Sequence, residues 1–245
     1  MDMERINTRA IRLGSVEYLV IDLTQPLDLD VEVFPGDPKP QMEIFSDIDK
    51  TGYQHHIYRV GDHNCHPHGD APSHQNFGMK HLGFETFDLS FCFNSAFVID
   101  LSDSSEAVEC DGIRFLTRVE MEHLKTFEGL LAKVGAVVIR TGYDTWLEKN
   151  KPHAPDTIPY MAEDASKFLA QFRNIKVVGI DSITIDPPGK HASHMALRDK
   201  MIVESLVHLH EIPEVARSRF DLQTAPIRIV GATGGPVAAY AFIQL

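Results

Sequence analysis

This sequence predicts a mixed α/β fold, with sheets flanked by helices in one domain spanning residues 1–245, and three observations predict it. Short apolar runs rich in β-branched residues recur along the chain. Helical stretches separate such runs in the second half, and the first half is extended without a helical period. Val16–Thr24 is the first run, followed by turn chemistry at Gln25-Pro26 and Pro35-Gly36-Asp37-Pro38. Gln54–Val60 and His66–Asp70 read as extended, and Ser95–Leu101 as a buried strand. Val119–Leu131 reads as a helix leading to the buried strand Gly135–Thr141. Ala165, Phe168, Leu169 and Phe172 then repeat at i, i+3, i+4 and i+7, which puts one apolar stripe on a helix before the strand Lys176–Asp181. Ile227–Val230 and Pro236–Leu245 read as two strands joined by the glycine-rich turn Gly231–Gly235, which lacks the context of a phosphate loop.

A chain of 245 residues, 43% of them hydrophobic, is long enough to bury one good core. Its net charge of -12 argues against nucleic acid as a partner, which would select a basic patch. Cys65, Cys92 and Cys110 are odd in number and far apart, so the expected setting is a reducing cytoplasm and not a disulfide framework. Met1–Ser15 is charged throughout, and no run approaches the roughly 20 apolar residues of a membrane span, so neither export nor membrane contact is expected. The partner this leaves is a small molecule.

Chemistry concentrates in one place. Seven of the thirteen histidines lie between His55 and His81, and His63–His74 packs four imidazoles and a carboxylate into twelve residues. If His66–Asp70 is extended, His66, His68 and Asp70 project to one side. Imidazole nitrogens with a carboxylate oxygen suit Zn2+ or Mn2+, and a coordination position left to water makes such a site catalytic. Pro72 cannot donate to a ladder and ends the strand, returning His74 toward the same place as a proton carrier. Cys65 falls on the opposite face and is not counted as a ligand.

His68 followed by Asp70-Ala71-Pro72-Ser73-His74 resembles the His-x-Gly-Thr-His-x-Asp-x-Pro-x-His signature of the cyclase-like metal-dependent hydrolases, the family of bacterial kynurenine formamidase and isatin hydrolase. Other segments follow in that family's order. They are Ile21-Asp22-Leu23-Thr24, Phe34–Pro38, Arg140-Thr141-Gly142-Tyr143, Gly179-Ile180-Asp181-Ser182 with Ile185-Asp186-Pro187, a distal His before a Glu, and Val230–Val237. The resemblance implies a swivelling β/β/α arrangement and self-association into a homo-oligomer. It also implies hydrolysis of an amide, lactam or ester of a small molecule by water activated at one or two divalent ions per chain. It makes His68, Asp70, His194 and Glu204 metal ligands, with His191 the alternative to His194, and it makes His74 the proton-transfer group, with Glu204 sharing catalytic duty. The chain departs from the signature in one respect: the family's first histidine falls on Asn64 and its glycine on His66. Asn is a poor transition-metal ligand, so His66 is expected to supply the missing nitrogen.

Phe34, Phe77, Phe84, Phe87, Tyr143 and Trp146 lie near these motifs and suit a flat aromatic substrate. Two other classes compete. One is a non-haem iron oxygenase built on His68-x-Asp70, with His208 or His210 as the distal ligand and Arg217 or Arg219 as a co-substrate anchor. The other is a non-catalytic metal-binding relative, motivated by Asn64.

Overall fold

The computed structural model describes residues 8–64, 66–154 and 156–245; Cys65 lies outside them. Nine strands form the main sheet: Thr8–Leu13 (β1), Val16–Asp22 (β2), His68–Asp70 (β3), Phe93–Asp100 (β4), Ala136–Arg140 (β5), Val177–Ile180 (β6), Met201–Glu204 (β7), Phe220–Pro226 (β8) and Gly234–Gln244 (β9). Their order is β1-β2-β9-β8-β4-β5-β6-β7-β3, and β9 also pairs with β3. All but β1 and β2 therefore close into a ring, and the mixed α/β architecture expected from the sequence is present. Strands β4, β5, β6 and β7 run parallel.

The parallel strands read as unbroken apolar runs because both of their faces are covered. Ala96, Val98, Ala136 and Val138 face the ring interior with Phe84, Val203 and Val237. Phe97, Ile99, Val137 and Ile139 alternate to the other side and pack under the helices with Leu124, Ala165 and Leu169. The apolar stripe before Lys176 is the helix Glu163–Ala170, with Ala165, Phe168 and Leu169 buried.

Three expected elements come out differently. Val119–Leu131 is two short helices, Met121–Lys125 and Glu128–Leu131. Between them Phe127 N–H donates to the Leu124 carbonyl at 3.0 Å, an i−3 bond that tightens and stops the first helix. Ile227–Val230 is no strand. The ladder belongs to Phe220–Pro226, whose alternating buried and exposed positions are the period-2 signal, while Val230 is 85% exposed. The metal-bearing strand begins only at His68, so the alternation that put His66 beside His68 does not extend that far.

Candidate metal centre

β3 is three residues long and is held on both edges. Asp70, Gly69 and His68 pair with Ile202, Val203 and Glu204 of β7, and with Gly234, Gly235 and Pro236 of β9. Gly69 points into the core, where a Cβ would sit 2.9 Å from Val237 Cγ2 and 3.1 Å from the Phe84 ring. His68 and Asp70 consequently point outward, and the same parity on β7 sends Glu204 to meet them. One donor atom each from His68, Asp70 and Glu204 lie within 4.8 Å of one another, and all three side chains are buried.

The short helix Ala192–Ala196 brings in His194 from the other side. Its Nε2 is 3.0 Å from Asp70 Oδ2 and 3.8 Å from Glu204 Oε1. His68 Nε2 lies 3.3 Å from Glu204 Oε2 and 3.7 Å from Asp70 Oδ1. Each carboxylate thus offers one oxygen to His68 and the other to His194. Ligands tetrahedrally placed on bonds of about 2.0–2.1 Å stand about 3.3 Å apart, so these spacings fit a divalent ion. The donor set, imidazole and carboxylate without thiolate, fits Zn2+ or Mn2+.

Each group is fixed from behind. The Asp186 carboxylate takes the His194 Nδ1 proton at 2.7 Å and the Ser193 and His194 backbone N–H groups at 2.8 and 3.3 Å. Glu204 Oε1 accepts the Ile185 N–H at 2.6 Å. Burial pushes the Asp70 carboxyl up, but the imidazoles of His68, His194 and His63 around it outweigh that and hold it well below the usual carboxylate range. Burial and then the Asp70 charge raise Glu204. Burial opposes charge on His194, yet Asp186 and Asp70 keep it well above an ordinary imidazole. Burial takes His74 down to about 4, only partly offset by Asp70, so it is neutral at pH 7.

The structure sorts the sequence-selected residues. It brings together His68, Asp70, His194 and Glu204, and it sets His74 beside them, its ring 5.3 Å from that of His194. His191 stays outside, its side chain 70% exposed and its Nδ1 3.5 Å from Asp186. His66 is also apart: its Nε2 donates to the Glu32 carbonyl at 3.0 Å. Asn64 turns the other way, its amide bonded to the Pro38 carbonyl. The imidazole standing in the expected place is His63, with Nδ1 2.7 Å from Asp70 Oδ1 and a ring 3.7 Å from that of His74. Sequence reasoning missed His63 because it is offset by one from the family's spacing. It missed the duty of Asp186 because nothing local to an Asp-Pro-Pro turn announces a partner eight residues on.

The oxygenase triad is not assembled. His208 Nδ1 bonds the Asp22 carbonyl at 2.7 Å, and His210 joins Asp144 and Glu148 in a separate group. Arg217 pairs with Asp100 at 2.7 Å.

A cavity of about 610 Å³ opens onto His63, His68, His74, His194 and Glu204. Of the aromatic residues picked from the sequence only Phe34 lines it. Phe84 and Phe87 are in the ring interior, Tyr143 and Trp146 belong to another core, and Phe77 is 87% exposed. Ile158, Ile183 and Pro187 supply apolar wall, and Asp37 and Lys190 supply charge.

A sequence model of a family described as putative cyclase matches residues 21–187, more than half of the chain. Kynurenine formamidase of Bacillus anthracis is 27% identical over 224 residues, covering 89% of this chain and 95% of that protein. Among solved structures, isatin hydrolase A from Labrenzia aggregata bound to benzyl benzoate superposes with a TM-score of 0.74 at 22% identity, covering 92% of this chain and 94% of its own. A potential metal-dependent hydrolase with cyclase activity gives 0.72 at 22% identity, covering 92% and 98%.

Proposed function

Because this chain belongs to the putative cyclase family, we propose that it is a metal-dependent hydrolase that cleaves a C–N or C–O acyl bond of a small molecule, an N-acyl amine, lactam or ester. The observation that carries this reading is the meeting of His68, Asp70 and Glu204 within 4.8 Å, with His194 on the second oxygen of Asp70, at the wall of a 610 Å³ cavity. The ligands are His68, Asp70, His194 and Glu204, for one or two ions per chain of Zn2+ or Mn2+. A divalent ion held there supplies Lewis-acid polarisation of a carbonyl and an acidified water at neutral pH.

The chain's own residues do the rest. Asp186 fixes the His194 ring with Nδ1 protonated, which leaves Nε2 facing the centre. His74, neutral and wedged between the His63 and His194 rings, takes the proton of the attacking water and returns it to the leaving nitrogen or oxygen. Phe34, Ile158, Ile183 and Pro187 hold the acyl group's apolar part and thin the water around it. Kynurenine formamidase, the name of the curated relative, makes an N-formyl aromatic amine the leading substrate class. A homo-oligomer in the cytoplasm completes the proposal; the free Cys92 and Cys110 suit a reducing compartment.

The test separates binding from proton transfer. His74→Ala is expected to keep its metal while turnover of N-formyl anilides falls about 10²–10⁴-fold, and Asp70→Ala to lose the metal itself. Equal metal loss in both variants contradicts the assignment.

A further inference from the structure

One imidazole at the centre has no counterpart at its spacing in the family signature. His63 sits one residue before Asn64, where the signature places its first histidine, and its surroundings fix which nitrogen it presents. His63 Nε2 lies 3.0 Å from Thr233 Oγ1, and Thr233 Oγ1 lies 2.8 Å from Asp62 Oδ2, which also accepts the Thr233 backbone N–H at 3.2 Å. An ionised carboxylate only accepts, so the single hydroxyl proton of Thr233 goes to Asp62. The hydroxyl oxygen then accepts from the ring, which places the ring proton on Nε2. Nδ1 is left with its lone pair toward Asp70 Oδ1, 2.7 Å away. Two lone pairs at that distance repel unless a cation serves both, a proton or a metal ion.

The backbone is cut to the same purpose. A Cβ on Gly234 would lie 2.5 Å from His63 Cε1 and 2.7 Å from the Gly69 carbonyl oxygen, so only glycine lets the start of β9 lie against this ring. The neighbouring candidates are each anchored elsewhere through one nitrogen, with Asn64 Oδ1 and His66 Nδ1 left without a hydrogen-bond partner among the described residues, and His66 is not among the donors gathered around Asp70. Asn64 bonds the Pro38 carbonyl and His66 the Glu32 carbonyl.

We propose that His63 supplies a metal-ligating Nδ1 in place of the signature histidine, and that Thr233 and Asp62 are the positioning residues that hold its ring in that orientation. The proposal rests on the metal-dependent reading above and adds to it a relay of carboxylate, hydroxyl and imidazole that is peculiar to this arrangement of residues.

The experiment uses the full chain stripped with a chelator and titrated with Zn2+ and, separately, Mn2+, with affinity read by competition against a chromophoric chelator. Thr233→Val removes the hydroxyl at nearly constant shape, and Asp62→Ala removes the acceptor. Each is expected to weaken binding about 10–100-fold, the usual cost of losing a partner behind a metal ligand. Thr233→Ser, which restores the hydroxyl, is expected to bind like wild type, a rescue that a purely structural role of the threonine methyl would not give. With Co2+ as probe, the visible absorption bands are expected to shift in His63→Ala and to stay unchanged in His66→Gln. Wild-type affinity in both Thr233→Val and Asp62→Ala, or a band shift in His66→Gln with none in His63→Ala, overturns the assignment of His63 and leaves the hydrolase reading standing. A wild-type chain that binds none of the three metals overturns both.

Discussion

Replacing Asp186 by asparagine tests whether the carboxylate behind His194 sets the metal affinity. Asp186 Oδ2 takes the His194 Nδ1 proton at 2.7 Å, while Oδ1 accepts the Ser193 and His194 backbone N–H groups. Asparagine preserves the shape, but one of those two positions becomes an NH2 donor. If the NH2 faces Nδ1, the ring must accept there and carry its proton on Nε2, 3.0 Å from Asp70 Oδ2, where the lone pair is needed. If the amide is turned over, its NH2 meets the Ser193 and His194 backbone N–H groups, and both of those bonds, which hold the turn behind the ring, are lost. Either way His194 is a poorer ligand, and the expected cost is about 10–100-fold in metal affinity, or about 1.4–2.8 kcal/mol. Competition with a chromophoric chelator on the stripped variant measures it, with thermal unfolding of the metal-free protein showing that the fold is intact. An affinity equal to wild type would refute the assignment of His194 as an oriented ligand.

Other perturbations separate the neighbouring groups. His191→Ala is expected to leave metal affinity unchanged while His194→Ala abolishes tight binding, since His191 is 70% exposed on its side chain; calorimetric titration of both decides it. Gly69→Ala places a Cβ 2.9 Å from Val237 Cγ2 and 3.1 Å from Phe84, and is expected to destabilise the fold by about 1–3 kcal/mol in urea unfolding. Burial, then the nearby His68, pushes the His66 imidazole from 6.5 down to about 3. Between those values the unfolded chain binds a proton that the folded ring refuses, so stability falls as pH drops below 6.5. At pH 5 this ring's share is about 2 kcal/mol. His66→Gln, which keeps a donor for the Glu32 carbonyl, is expected to lose that much less between pH 7 and pH 5 in denaturant titrations. Equal losses in the two proteins would assign the effect to another group.

The legible parts of this chain were those in which one local signal settles the matter. Ser95–Leu101, Gly135–Thr141 and Lys176–Asp181 carry continuous apolar runs at their centres because both faces are buried, and all three hold central strands. Thr8–Leu13 and Gln41–Ser46 gave no such signal, being largely exposed and held by pairing with a neighbouring strand. At the centre, the shared face of His68 and Asp70 was readable from alternation and the approach of Glu204 to them from the resemblance, whereas the choice between His63, Asn64 and His66 was not. It depends on where the strand begins, and that is set by pairing with β7 and β9. Asp62, Thr233 and Asp186 act through partners far off in the chain or across a turn, so no spacing rule points to them.

The three-residue strand His68–Asp70 is the seam of the ring, the shortest rung in the closure between β7 and β9. Two of its three side chains face the candidate metal, so an ion that recruits them also rivets the seam. Whatever binds the closed form and not the open one stabilises closure by mass action. Amide hydrogens of Gly69, Val203 and Gly235 should accordingly exchange slowly in the loaded protein and faster after chelation, ahead of those in β4 and β5. In this protein, metal starvation would then first loosen the strand that carries two of the candidate ligands.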